Sequence, residues 1–228
     1  VTSVADMASS ATFTLGTTTV NVTATDGSGN TNACAFDVVV SDNEAPVAAC
    51  PSDISVDTDA GVCNAVVTYT LPASSDNCSV TSVADMASGA TFTLGTTTIN
   101  VTATDGSGNT DACTFDVVVS DNEAPVAACP SDIAIDTDAG LCEAVVTYTL
   151  PASSDNCSVT SVADMASGTA YAEGTTTVTV TATDGSGNTN TCTFDVVVSD
   201  NEDPVAACPA DIAIDTDAGV CSAVVTYI

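Results

Sequence analysis

The sequence predicts an all-β fold made of tandem, cystine-braced Greek-key sandwiches. Three observations predict it. First, Cys50-Pro51, Cys129-Pro130 and Cys208-Pro209 recur 79 residues apart, and residues 43–121 and 122–200 differ at only 13 of 79 positions. A fixed period of this length marks a repeat architecture. Second, β-branched segments within each copy alternate apolar and polar residues, and no segment has a helical period. Third, 11 cysteines occur with no Cys-x-x-Cys pair and no histidine in the chain. That pattern points to disulfides rather than zinc.

The elements follow in order along the copy at 43–121. Ile54-Ser55-Val56 reads as a short strand, and Asp57 to Gly61 as a turn with glycine at its end and with Asp57 and Asp59 facing solvent. Cys63 to Leu71 is β-branched and reads as a strand, and Pro72 to Asn77 as a loop. Val80 to Ala84 and Thr91 to Leu94 are further strands. Thr96 to Thr104 places Ile99, Val101 and Ala103 on one face. Asp105-Gly106-Ser107-Gly108-Asn109 has the composition of a hairpin turn. Cys113 to Val119 turns Cys113, Phe115, Val117 and Val119 inward. About seven short strands in roughly 80 residues specify a sandwich of immunoglobulin type. The copies differ most at 90–94 against 169–173, which predicts an exposed or loosely packed strand there.

The repeat divides the chain into four segments. Residues 1–42 match the back half of a copy (80–121), 43–121 and 122–200 are complete copies, and 201–228 match the front half (43–70). The two halves together lack only nine residues of a third copy. Either the chain is a window on a longer array, or the halves complete each other between neighbouring chains. A free half-sandwich exposes strand edges that need a partner.

A domain this small buries a limited core, so covalent help is expected. Four cysteines per copy allow three pairings. The favoured one joins Cys50 to Cys113, from the opening to the last strand, and Cys63 to Cys78 around the Pro72 loop. In the next copy it joins Cys129 to Cys192 and Cys142 to Cys157. Each bridge contributes roughly 3–4 kcal/mol by loop-closure reasoning. Cys34, Cys208 and Cys221 remain as candidates for bridges between units, with Cys208 of one unit meeting the Cys34 equivalent of the next. Disulfides place the protein outside the cell or on its surface.

Charge narrows function further. The chain has 30 acidic residues and no Lys, Arg or His. The commonest general bases and the Schiff-base amine are therefore missing. No side chain can neutralise phosphates or anionic lipid, so neither nucleic acid nor a membrane surface is an expected partner. No stretch approaches the roughly 20 apolar residues of a membrane span. The carboxylates sit on turns of near-identical repeats, which suits array surfaces rather than one catalytic pocket, and no enzyme is expected. A net charge of −30 calls for cations or basic surfaces.

Calcium is the expected cation, because it takes six to eight oxygens from Asp, Glu, Asn and carbonyl groups. Three clusters offer such ligands. The first is the linker Asp42-Asn43-Glu44, repeated as Asp121-Asn122-Glu123 and Asp200-Asn201-Glu202. It is similar to the acidic inter-domain linkers that bind calcium in cadherins, and is equally a solvated hinge stiffened by proline. The second is the loop Asp76-Asn77, repeated as Asp155-Asn156, which otherwise caps a turn. The third is the pair Asp105 and Asn109, repeated as Asp184 and Asn188. Its oxygens are spaced as in an EF-hand loop, but Thr110 stands where that loop needs glycine, and a plain hairpin turn explains it as well.

Taken together, Asp42-Asn43-Glu44-Ala45-Pro46, Cys50-Pro51 with Asp53-Ile54, Gly61-Val62-Cys63, Asp76-Asn77-Cys78, Gly95-Thr96-Thr97-Thr98, Thr102-Ala103-Thr104-Asp105 with Gly108-Asn109, and Cys113-Thr114-Phe115 resemble the hyalin repeat (HYR) family. The resemblance runs through the whole chain. It implies an immunoglobulin-like fold, an extracellular role in matrix or adhesion, and no catalytic residues. The leading expectation is a filament, stalk or sheath whose partners are neighbouring copies of the repeat, head to tail, and divalent cations. The alternative is an adhesin that binds a glycan or protein, for which Phe92 and Tyr171 in the variable strand are the candidate contacts.

Overall fold

The computed structural model describes residues 1–227 as strands, turns and loops, with no helix among them. They fall into two compact units, Val1–Glu123 and the segment from Ala124 onward. The first unit opens with β1 (Thr2–Ala5), β2 (Gly16–Thr25) and β3 (Thr31–Val40), an antiparallel sheet in that order. The complete repeat follows as β4 (Ile54–Asp57), β5 (Asn64–Val67), β6 (Val80–Ala84), β7 (Ala90–Thr93), β8 (Gly95–Asp105) and β9 (Thr110–Ser120). One sheet has the order β4-β9-β8-β6 and the other pairs β5 with β7. The second unit repeats this with β10 (Ile133–Asp136), β11 (Glu143–Val146), β12 (Val159–Ala163), β13 (Thr169–Ala172), β14 (Gly174–Asp184) and β15 (Thr189–Ser199), in the orders β10-β15-β14-β12 and β11-β13. The opening strand lies parallel to the last in both repeats, and every other pairing is antiparallel. These are immunoglobulin-type sandwiches.

The core follows from the period-two pattern. On β8, Ile99, Val101 and Ala103 are fully buried; on β9, Phe115, Val117 and Val119 are buried. Ala65, Val67 and Phe92 close the core from the other sheet. Tyr69 meets Phe115 edge to face with ring centroids 5.1 Å apart, and its hydroxyl donates to the Met86 carbonyl. Such pairs add about 0.5–1.5 kcal/mol beyond their area. Only Leu94 separates β7 in one sheet from β8 in the other. Gly95 makes that step at φ 104°, with open space where a Cβ would lie. The cost of a side chain there is therefore conformational rather than steric. The cystine Cys50–Cys113, with Cα atoms 6.0 Å apart, ties the chain entering the sandwich to β9. Cys129–Cys192 does the same in the second repeat.

The long hairpin β8–β9 gives the repeat two poles. Residue 43 enters at the pole of the Asp105–Thr110 turn, where Val80 pairs with Asp105. The chain leaves at the opposite pole, where Gly95 pairs with Val119. Ten residues of extended β8 hold these poles about 33 Å apart. Cys63 precedes β5, whose first residue Asn64 pairs with Thr93 beside the exit pole. Cys78 precedes β6 at the entry pole. A disulfide needs Cα atoms within about 7 Å, so the expected Cys63–Cys78 bridge is corrected: Cys78 is a free, exposed thiol. The same holds for Cys142–Cys157. The Cys142 carbonyl accepts from Glu173 N at the exit pole, Cys157 lies at the entry pole, and Cys142 is a free thiol. Closeness in sequence around Pro72 did not become closeness in space, because the loop crosses the full height of the sandwich.

Three further differences have physical causes. Phe92 and Tyr171 are 2% and 1% exposed, so the variable strand is part of the core and not loosely packed. The strand expected over Cys63 to Leu71 is paired only from Asn64 to Val67, because β7 offers four partners. In residues 201–227 the counterparts of β4 and β5 form no strand. Their β propensity is realised only against a β9 and a β7, and the segment is almost wholly exposed. Correspondingly, among the described residues no second sheet accompanies β1–β3; Val20 is still buried, but Phe36 is 53% exposed where its equivalent Phe115 is 2% exposed. Among the described residues, no helix is long and apolar enough to cross a membrane.

Phe115→Ala should lower the unfolding free energy of the first unit by about 3–5 kcal/mol. Thr114→Ser, exposed on the same strand, should stay within about 0.5 kcal/mol. Denaturant unfolding of the oxidised chain checks both.

Candidate functional site: the acidic poles

The entry pole gathers the three acidic clusters that the sequence offered separately. Asn77 Nδ2 donates to Glu44 Oε2 at 3.1 Å, tying the loop to the linker. Asn109 Nδ2 donates to the Asp42 carbonyl at 3.2 Å, tying the hairpin to the same linker. Asp42 Oδ1 accepts from Glu44 N, and Asp76 Oδ2 accepts from Cys78 N. These bonds leave Asp42 Oδ2 and Asp76 Oδ1 buried without a hydrogen-bond partner. One oxygen from each of these carboxylates and the Cys78 sulfur lie within 4.8 Å of one another. Asn43 is exposed. Two carboxylates at that spacing repel by roughly 3–4 kcal/mol at an effective dielectric of 20, and no basic side chain exists to offset it. In the second unit Asp155 Oδ2 accepts from Cys157 N, and Asp155 Oδ1 is likewise buried without a partner.

The donor set suits a hard cation in part. Asp42 and Asp76 supply two anionic oxygens, and Glu44 and backbone carbonyls lie on the same linker. A calcium ion held here would keep several waters to reach its usual coordination. The sulfur is no calcium ligand. The Asp42 carboxylate beside Cys78, with some burial, pushes the thiol pKa up and keeps it protonated.

The hairpin does different work. Asp105 is 7% exposed, and its Oδ1 accepts from Ser107 N at 2.9 Å and from Asn109 N at 2.8 Å. Its Oδ2 accepts from Asn109 Nδ2 at 2.7 Å. Burial pushes this carboxyl up, but the bonds from Asn109 and Ser107 outweigh it and hold the pKa below the ordinary value. Asp184 repeats the arrangement with Ser186 and Asn188. Both oxygens thus serve the turn itself, which is the hairpin alternative to an EF-hand-like loop. Asp111 is also engaged, accepting from Ala48 N.

The exit pole carries contacts that sequence reasoning missed. Asn122 Nδ2 donates to Asp57 Oδ1 at 2.7 Å, and Gly61 N to Glu123 Oε2 at 3.3 Å. Asn201 with Asp136 and Gly140 with Glu202 repeat them. Glu123 N and Glu202 N cap Asp121 and Asp200, and Asp121 is 5% exposed. Asp57 and Asp59 are therefore not idle turn residues: Asp59 Oδ2 accepts from Val66 N. The parallel pairing of β4 with β9 brings Asp57 beside Ser120, and a register of that kind is not written in sequence spacing.

Cysteine oxidation completes the site. Cys63 and Cys157 are disulfide-bonded, whereas Cys34, Cys78, Cys142, Cys208 and Cys221 are free and exposed.

Two outcomes follow from these geometries. Replacing Asp42 by Asn should speed alkylation of Cys78 several-fold at pH 8, read by mass spectrometry, because it removes the carboxylate that holds the thiol protonated. Asn109→Ala should destabilise the first unit at pH 7. The folded carboxyl of Asp105 titrates below its unfolded value, so its contribution is complete above the ordinary carboxylate range and is lost as pH falls through the lower, folded value. The gap between parent and variant should accordingly narrow below about pH 4, in denaturant melts at several pH values.

Comparisons with known proteins bear on the whole chain. The family model described as HYR domain matches residues 2–40, 41–119 and 120–198. Hyalin from Strongylocentrotus purpuratus is 34% identical over 227 residues; the match covers 94% of this chain and 19% of that protein. Among solved structures, the protocadherin gamma B2 extracellular cadherin domains 1–5 align over 82% of this chain and 47% of theirs, with 15% identity and a TM-score of 0.38. Drosophila N-cadherin EC1–4 aligns over 82% and 59%, with 15% identity and a TM-score of 0.36. Scores this low carry no argument about function.

Proposed function

The chain belongs to the HYR domain family, and from that premise we propose that it is an extracellular structural repeat protein, a filament, stalk or sheath of sandwiches in series, stiffened by calcium at its acidic linkers. One observation carries the calcium reading. Asp42 and Asp76 each hold a buried carboxylate oxygen without a hydrogen-bond partner, and the two carboxylates come within 4.8 Å of one another where the linker meets the entry pole, in a chain with no cationic side chain. A divalent cation there cancels the repulsion and fixes the linker against the loop. The next linker is bonded to the exit pole of the same repeat through Asn122 and Glu123. Cystines within the repeats support the extracellular placement, since disulfides persist in oxidising compartments. The absence of Lys and Arg removes every trypsin site, which suits an exposed structural element.

The adhesin reading loses its residue basis, because Phe92 and Tyr171 are core residues. Nothing in the geometry favours catalysis, and the chain has no His, Lys or Arg to activate a nucleophile.

Calorimetric titration with calcium should show binding that is lost, with at least a tenfold weaker affinity, in Asp42→Asn/Asp76→Asn. At calcium 100-fold above its dissociation constant, linkage should stabilise the parent by about 2.7 kcal/mol. Solution scattering should show a longer, stiffer particle with calcium than with chelator. Identical scattering in the two conditions, with no heat of binding, would sink the proposal.

A further inference from the structure

The outer faces of β2 and β8 carry a motif that has no part in the core or at the poles. Asn21-Val22-Thr23 and Asn100-Val101-Thr102 both have the Asn-x-Thr pattern of an N-glycosylation acceptor. Asn100 stands between the fully buried Ile99 and Val101, so the two-residue alternation of a strand turns Asn100 and Thr102 outward together. Both are exposed, as are Asn21 and Thr23 at the equivalent positions of β2. We propose that Asn21 and Asn100 are glycosylation sites, each taking one oligosaccharide on its side-chain Nδ2.

The surroundings of each amide suit the product. Asp85 Oδ1 accepts from Asn100 N at 3.1 Å, and its Oδ2 from Asn100 Nδ2 at 3.0 Å. Asp6 holds Asn21 in the same way, at 3.0 Å and 2.9 Å. A carboxamide nitrogen has two hydrogens, and this grip engages one of them. A glycan replaces the other, so the substituted amide keeps its bond to the aspartate and the sugar is held in one orientation. In the transfer, the bond between the anomeric carbon of the sugar and the phosphate oxygen of a lipid-pyrophosphate donor breaks. The anomeric carbon bonds to Nδ2, which loses a proton, and the lipid pyrophosphate leaves. A sugar on Asn100 stands beside β6, which ends the sheet β4-β9-β8-β6. On that strand Val83, opposite Thr102, is 69% exposed. A bulky, hydrated group here shields an edge that would otherwise invite pairing with another chain. The second repeat has Thr179-Val180-Thr181 at this position, so β12 carries no such shield. Asn77-Cys78-Ser79 also fits the pattern, but its amide ties the loop to Glu44 in the acidic pole, and the proposal does not include it.

The test is a site map of the full chain as its own cells make it. An endoprotease that cuts before Asp releases residues 6–25 with Asn21 and residues 85–104 with Asn100, and the two peptides differ in sequence. A glycan-releasing amidase acting in heavy-oxygen water converts a substituted Asn to labelled Asp. The expected result is label at positions 21 and 100 by mass spectrometry. In the same cells, Thr102→Ala keeps Asn100 and its bond to Asp85 but breaks the acceptor pattern, so label should vanish at 100 and persist at 21. Recovery of both peptides wholly as Asn would overturn the proposal, as would label that survives at 100 in Thr102→Ala. The proposal rests on the extracellular placement given under Proposed function, and the Cys50–Cys113 cystine in the same sample reports that placement independently. Intact cystine with unmodified asparagines defeats the glycan alone; reduced cysteines with unmodified asparagines defeat both.

Discussion

The pairing of β8 with β9 is the constraint on which the rest of the repeat depends. Ten register pairs run from Gly95–Val119 to Thr104–Thr110, and they perform three functions at once. They present the fully buried Ile99, Val101 and Val117 to a single core. They give β4 and β6 their edges to pair with. They also set the height of the sandwich and therefore the distance between its two ends. The acidic clusters around Asp42 and around Asp121 lie at the two ends of the hairpin.

Charge is handled without a single salt bridge to a basic side chain. Where another protein would place Lys or Arg, this one places Asn. Asn21 meets Asp6, Asn30 meets Asp26, Asn100 meets Asp85 and Asn109 meets Asp105. An amide donates to a carboxylate without neutralising it, so these bonds order the chain but leave the net charge at −30. The hydrogen bonds from Asn21 and Asn100 depress the carboxyls of Asp6 and Asp85, which keeps them ionised. The second repeat has Thr179 in place of Asn100, and there Asp164 retains only the backbone donor. The polar scaffold is thus tuned copy by copy while the core pattern is kept. Self-repulsion on this scale is relieved only by ions from solution.

The sequence made the hairpin, the inward faces of β8 and β9 and the Cys50–Cys113 bridge legible, because alternation and a parallel first-and-last strand pair are local or topological rules. It misled where a residue's role depends on which pole it reaches. Cys63 and Cys78 are fifteen positions apart, yet the chain between them crosses from one end to the other. Asp57 was unreadable as a linker partner, because the shift that brings it to Asn122 is set by the β4–β9 register. The variable strand around Phe92 differs from its expectation for another reason. Divergence between copies does not mean looseness here, because Phe92 and Tyr171 are a volume-similar core swap of the kind that packed interiors tolerate. The same strands that form in 43–200 fail to form in 201–227, which shows how much β propensity owes to the partner strand.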